Sequence, residues 1–128
     1  MSAASTESLR VLGVDGGSDT ADPMGSAFER LDDRFSVTWV TEASAAVDRL
    51  DGETFDCLVS AHADGRIDGL ELLRSVRAEY PHLPFVLVPH DGDERLASQA
   101  IARGVSEYVP TIEDGKRAKA LVARVERA

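Results

Sequence analysis

A chain of 128 residues, 43% hydrophobic and 29% charged, is long enough for one self-supporting core and too short for several large domains. Its net charge of −9 repels nucleic-acid phosphates, so direct binding of DNA or RNA is not expected. No apolar run approaches the roughly 20 residues that cross a bilayer, and no membrane partner is expected.

Residues 1–8 are rich in Ser and Ala and lack the basic-then-apolar layout of a secretion signal. They read as a flexible tail on a cytoplasmic protein, with one domain over residues 9–127. The first strand is predicted at 9–14, followed by the loop Asp15-Gly16-Gly17-Ser18-Asp19. Asp22-Pro23 supplies an N-cap and a proline at the first helical position. Met24, Ala27, Phe28 and Leu31 then recur at helical spacing to about Asp33. Residues 35–40 are β-branched and aromatic, a second strand. Thr41 is expected to cap a second helix whose Ala46, Val47 and Leu50 face inward, and Asp51-Gly52 to end it.

A short apolar run at 55–60 reads as a third, buried strand. It contains the only cysteine, Cys57, which is expected to act as a small core hydrophobe. Asp68-Gly69 opens a third helix with Leu70, Leu73, Val76 and Tyr80 on one stripe. Pro81 and Pro84 bracket the turn into a fourth strand at 85–88, with His82 as a plain turn residue. A fourth helix begins within 91–94, carries Leu96, Ala100 and Ile101, and stops at Gly104. A fifth strand at 107–109 and a last helix from Glu113, with Leu121, Val122 and Val125, complete the pattern.

Five strands alternating with five helices imply a parallel sheet covered on both faces. Right-handed crossovers make it a single doubly wound (βα)5 α/β domain of strand order 2-1-3-4-5. In such sheets chemistry sits at the carboxyl ends of the strands.

Several segments carry a family resemblance: Asp32-Asp33-Arg34-Phe35, Phe55-Asp56-Cys57-Leu58-Val59-Ser60 and Asp68-Gly69-Leu70-Glu71-Leu72-Leu73. Leu83-Pro84-Phe85-Val86-Leu87 and the stretch 100–109 extend it. Together they resemble the receiver domain of two-component response regulators, a CheY-like, flavodoxin-like three-layer sandwich. The likeness is greatest to receivers of halophilic archaea, which often head multidomain sensor kinases. An acidic, Lys-poor surface suits high salt, and a GC-rich genome would explain the arginines equally well.

The resemblance implies five groups at the strand ends: two acids after strand one, an acceptor aspartate after strand three, a hydroxyl after strand four and a lysine after strand five. The acids and the aspartate would hold Mg²⁺, which offsets phosphate charge during attack. Here Asp15 matches the first acid, while Gly16, Ala61, Pro89 and Thr111 stand at the other four positions. Asp64 and Asp68 fall outside the acceptor register. The resemblance therefore implies a degenerate receiver with no phosphoacceptor, Mg²⁺ binding lost or weak, and no enzymatic activity.

Its partner would be a histidine kinase, an output domain or a second copy of the chain. Contact is expected through the face of the fourth helix, fifth strand and fifth helix. Tyr108 matches the aromatic that reports phosphorylation in receivers, and also reads simply as a half-buried tyrosine beside Val109.

Other constellations compete. Residues 12–20 look like the phosphate hairpin of sugar kinases, but that fold needs a returning strand and two large lobes. His62, His90, Asp15 and Asp91 could converge at one sheet edge as a metal or ligand sensor, without any tight spacing motif. No nucleophile–base pair supports an enzyme. Asp48-Arg49, Glu71 with Arg74, and Arg124 with Glu126 and Arg127 read as solvated charge. The basic last helix (Lys116, Arg117, Lys119, Arg124, Arg127) reads either as a dock for an acidic partner or the next domain, or as a complement to its own dipole.

Overall fold

The structure, a computed structural model, describes residues 9–14, 35–62, 67–89 and 94–109. Five strands form one parallel sheet: β1 (Leu9–Val14), β2 (Phe35–Val40), β3 (Cys57–His62), β4 (Phe85–Pro89) and β5 (Glu107–Tyr108). Their order is β2-β1-β3-β4-β5, the doubly wound arrangement expected from the alternating pattern. Three helices fall within the described residues: α1 (Ala43–Gly52), α2 (Gly69–Glu79) and α3 (Glu94–Ala102). They correspond to the second, third and fourth predicted helices. The helices predicted from Asp22 and from Glu113 lie outside the described residues, as does the tail 1–8.

Strand residues alternate between two buried clusters, one on each face of the sheet. Leu12, Val14, Leu58, Phe85 and Leu87 join Ala46, Leu50, Leu70, Leu73, Val76, Leu96 and Ala100 from the helices. Val11, Cys57, Val59, Val86 and Val88 form the second cluster with Val109. A central parallel strand reads as an unbroken apolar run because it has no solvent face. Cys57 is a buried core residue, as its place in that run implies.

Four local expectations need correction. Thr41 does not cap α1: the first helical bond runs from the Ala46 N–H to the Glu42 carbonyl, and Glu42 is the N-cap without a side-chain cap bond. β3 starts and ends two residues later than predicted, because its ladder with β4 continues through His62 opposite Pro89. Ile101 is 69% exposed, since Leu96 and Ala100 at i,i+4 define the buried stripe of α3. Leu72, outside the predicted stripe of α2, is buried, because α2 packs between α1 and α3 and hides a wider arc.

Asp68 does cap α2, accepting the Glu71 N–H at 3.0 Å. Gly104, with φ of 90°, occupies the left-handed region that ends α3 and favours glycine. The Glu71–Arg74 pair forms as expected, whereas Arg49 pairs with Glu53 one turn on, at 2.7 Å.

The amino-end corner of the sheet is fastened by Arg77. Its guanidinium donates to the carbonyls of Leu83 (2.7 Å), Gly104 (2.9 Å) and Tyr80 (3.1 Å), and to Ser106 Oγ (3.3 Å). Ser106 Oγ in turn accepts the Phe85 N–H at 3.0 Å, so α2, β4 and the α3–β5 turn share one hub. Burial without a carboxylate partner pulls the Arg77 pKa below its ordinary value. Replacing Arg77 by Met strands several of these acceptors. Urea unfolding should show a loss of about 1–3 kcal/mol with an unchanged m-value.

Candidate functional site

Two of the five receiver positions lie on adjacent described strands, at the carboxyl ends of β3 and β4. Ala61 pairs with Val88, and His62 with Pro89, in a parallel register. Ala61 is therefore a strand residue and not the first loop residue, and Pro89 closes β4 and does not follow it. Ala61 packs its methyl against the helix-bearing cluster, and Pro89 is buried. A methyl and a pyrrolidine ring stand at the two strand ends where the resemblance implies a carboxylate and a hydroxyl. Neither offers an oxygen as nucleophile, metal ligand or phosphoryl-binding group.

Ser60, the preceding residue, is the one buried polar side chain among the described residues. Its hydroxyl donates to the Ala61 carbonyl at 2.9 Å. Asp15, Gly16, Thr111, His90, Asp91 and Asp64 lie outside the described residues. Of the four residues weighed as a metal sensor, only His62 is described. Its Nδ1 accepts the Gly69 N–H at 3.0 Å and stands 3.9 Å from Asp68 Oδ1. Among the described residues no group of three His, Cys, Asp or Glu side chains comes together as a metal site.

Gly69 fixes how closely α2 approaches β3. A Cβ built there would lie 2.6 Å from the Ala61 carbonyl oxygen and 2.7 Å from Leu87 Cδ1. The first is backbone and cannot swing aside, so only glycine fits. At the other side of the site, Gly13 of β1 lies under the Trp39 ring, which an added Cβ would approach to 2.4 Å. Gly13 and Trp39 are register partners, and the indole covers the strand just before it reaches Asp15. Sequence reasoning missed this pairing; a lone glycine in a strand beside an aromatic partner is the signal that marks it.

Tyr108, paired with Leu87, is half-buried against the helix-bearing cluster, while its neighbour Val109 belongs to the opposite one. The two therefore do not pack side by side. Ile101, on α3, is the large hydrophobic left exposed among the described residues. No described helix is long and apolar enough to cross a membrane.

A family model for the response regulator receiver domain matches residues 11–122. The chain is 34% identical over 97 residues to the bacterioopsin transcriptional activator of Halobacterium salinarum, covering 76% of this chain and 14% of that protein. It is 31% identical over 88 residues to the transcriptional regulatory protein FixJ of Bradyrhizobium diazoefficiens, covering 69% and 43%. The chain thus spans less than half the length of these relatives. Among solved structures, the chemotaxis response regulator CheY4 of Vibrio cholerae superposes with a TM-score of 0.75 at 19% identity, over 92% of this chain and 98% of that one. The receiver domain of the Francisella response regulator 1452 gives 0.77 at 18% identity, over 93% and 94%. At such identities the superpositions establish the fold.

Two outcomes follow from the packing around the site. Gly69→Ala should destabilise the fold by about 1–3 kcal/mol in chemical denaturation, because α2 must back away from β3. Burial pushes the Cys57 thiol up to about 12 from an ordinary 9.0. A group raised on folding contributes stability that is full below its unfolded value. Stability should therefore fall as pH climbs from about 9 toward 12, and Cys57→Ala should reduce that fall in pH-dependent urea titrations.

Proposed function

The chain belongs to the response regulator receiver domain family, and from that premise we propose that it is a receiver that accepts no phosphoryl group. It works as a protein–protein interaction module in two-component signalling. The observation that carries this reading is Ala61 at the end of β3. A receiver's reaction begins with a carboxylate oxygen attacking phosphorus, and a methyl group has no lone pair to offer.

Pro89 on the neighbouring strand, with Gly16 and Thr111 in the sequence, removes the second acid, the hydroxyl and the lysine as well. Loss at four positions differs from a charge mimic, which would alter the acceptor alone. A single remaining acid, Asp15, leaves Mg²⁺ too few hard oxygens to displace its waters.

The module then signals by the surface it presents. The face containing α3, β5 and the last predicted helix is the one we assign to the partner, a histidine kinase, an output domain or a second copy. Exposed Ile101 and half-buried Tyr108 supply apolar contact there, and the basic last helix supplies charge against an acidic partner.

Incubation with a small phosphodonor and Mg²⁺ should leave the intact mass without a phosphoryl adduct. Millimolar Mg²⁺ should leave the emission of Trp39, the chain's one tryptophan, unchanged. A stoichiometric, alkali-labile phosphoryl group would refute the reading. A tightly held divalent ion in native mass spectrometry would instead favour a sensing pocket built on Asp15, His62, His90 and Asp91.

A further inference from the structure

We propose that His62 is a positioning residue that fastens the end of β3 to the start of α2, so that protein groups alone order this junction. The first N–H groups of any helix lack intrahelical partners. In α2 two of them are taken by different side chains. Asp68 Oδ1 accepts the Glu71 N–H at 3.0 Å, and His62 Nδ1 accepts the Gly69 N–H at 3.0 Å.

The second bond reaches back seven residues, from the helix to the last residue of the strand. The imidazole is only 15% exposed, so water competes poorly for its acceptor nitrogen. Asp68 Oδ1, 3.9 Å from the same nitrogen, is beyond hydrogen-bond reach and does not displace Gly69. An acceptor at Nδ1 requires a lone pair there, which places the proton of the neutral ring on Nε2.

The contact is reinforced by fit. Gly69 is pressed against the Ala61 carbonyl and approaches His62 Cβ, so helix and strand are held by a close backbone approach and a side-chain bond at one spot. In a receiver that takes neither Mg²⁺ nor phosphate, this junction has no ligand to order it, and His62 fills that role from within. The meaning of the bond rests on the reading above. Its test uses no phosphodonor, so either can fail alone.

The test is NMR of the full chain at fixed pH. Long-range ¹⁵N spectra of the unaltered protein should show the His62 proton on Nε2. His62→Leu removes the acceptor and should speed exchange of the Gly69 amide about tenfold, with the Val59 and Leu87 amides unchanged. His62→Asn, whose Oδ1 can occupy the place of Nδ1, should restore most of that protection. Added Mg²⁺ should change none of these rates. A proton on Nδ1, unaltered Gly69 exchange in the leucine variant, an equal rise at every amide, or Mg²⁺-dependent protection would each overturn the proposal. If the leucine variant does not fold, the tautomer in the unaltered chain decides.

Discussion

The position of β3 governs the rest of this molecule. It is hydrogen-bonded to β1 on one side and β4 on the other, and its side chains enter both buried clusters. A strand so enclosed can vary little in register, because a shift of one residue would exchange its two faces. Its ends are therefore fixed points. At the amino end, Asp56 and Arg10 exchange backbone and side-chain bonds at 2.8 Å, and Arg10 reaches on to Glu53 at 2.7 Å. The same guanidinium stacks 4.9 Å from the Phe55 ring centroid. At the carboxyl end, Ala61 and His62 are set against Gly69. The chemistry available at that end is decided by which side chains the sequence places on a strand whose register is set by its two neighbours and its two buried faces.

The frame is fastened at both edges by side chains and not by charge alone. Arg77 gathers neutral carbonyl and hydroxyl acceptors at one corner, and His62 gathers a helix amide at the opposite edge. Tyr80 adds a third tie, donating to Asp51 Oδ1 at 2.6 Å between the ends of α1 and α2, which pushes its phenol up to about 12. By contrast the Glu71–Arg74 and Arg49–Glu53 pairs are exposed and contribute little. A receiver built this way has local reasons to hold one conformation.

The sheet order was readable because buried parallel strands are uninterrupted apolar runs, and those of β1, β3 and β4 stand out between polar loops. Asp68-Gly69 was readable as a helix start because an apolar stripe at helical spacing follows it directly, with Asp68 placed as a cap. Strand ends were less legible. Where β3 stops depends on how far β4 runs beside it, and no local signal in Ser60-Ala61-His62 records that. Thr41 was a plausible cap by composition, yet the chain turns one residue later. Ile101 and Leu72 show the limit of helical periodicity, since an arc of burial depends on how many neighbours a helix has. The chemistry of the site was legible only through the family likeness. Ala61 is unremarkable in isolation and informative only when a strand end is expected to carry an acid. The bond from His62 to Gly69 was out of reach, because it joins residues across a loop whose course no pattern specifies.

Pro89 carries a consequence of its own. It sits buried in the last position of β4 and, alone among residue types, brings no amide hydrogen there. Any other residue would introduce a donor into a dry environment and require an acceptor for it. A substitution that placed a hydroxyl here would add an amide hydrogen together with it, so two polar groups at the buried end of β4 would need partners at once.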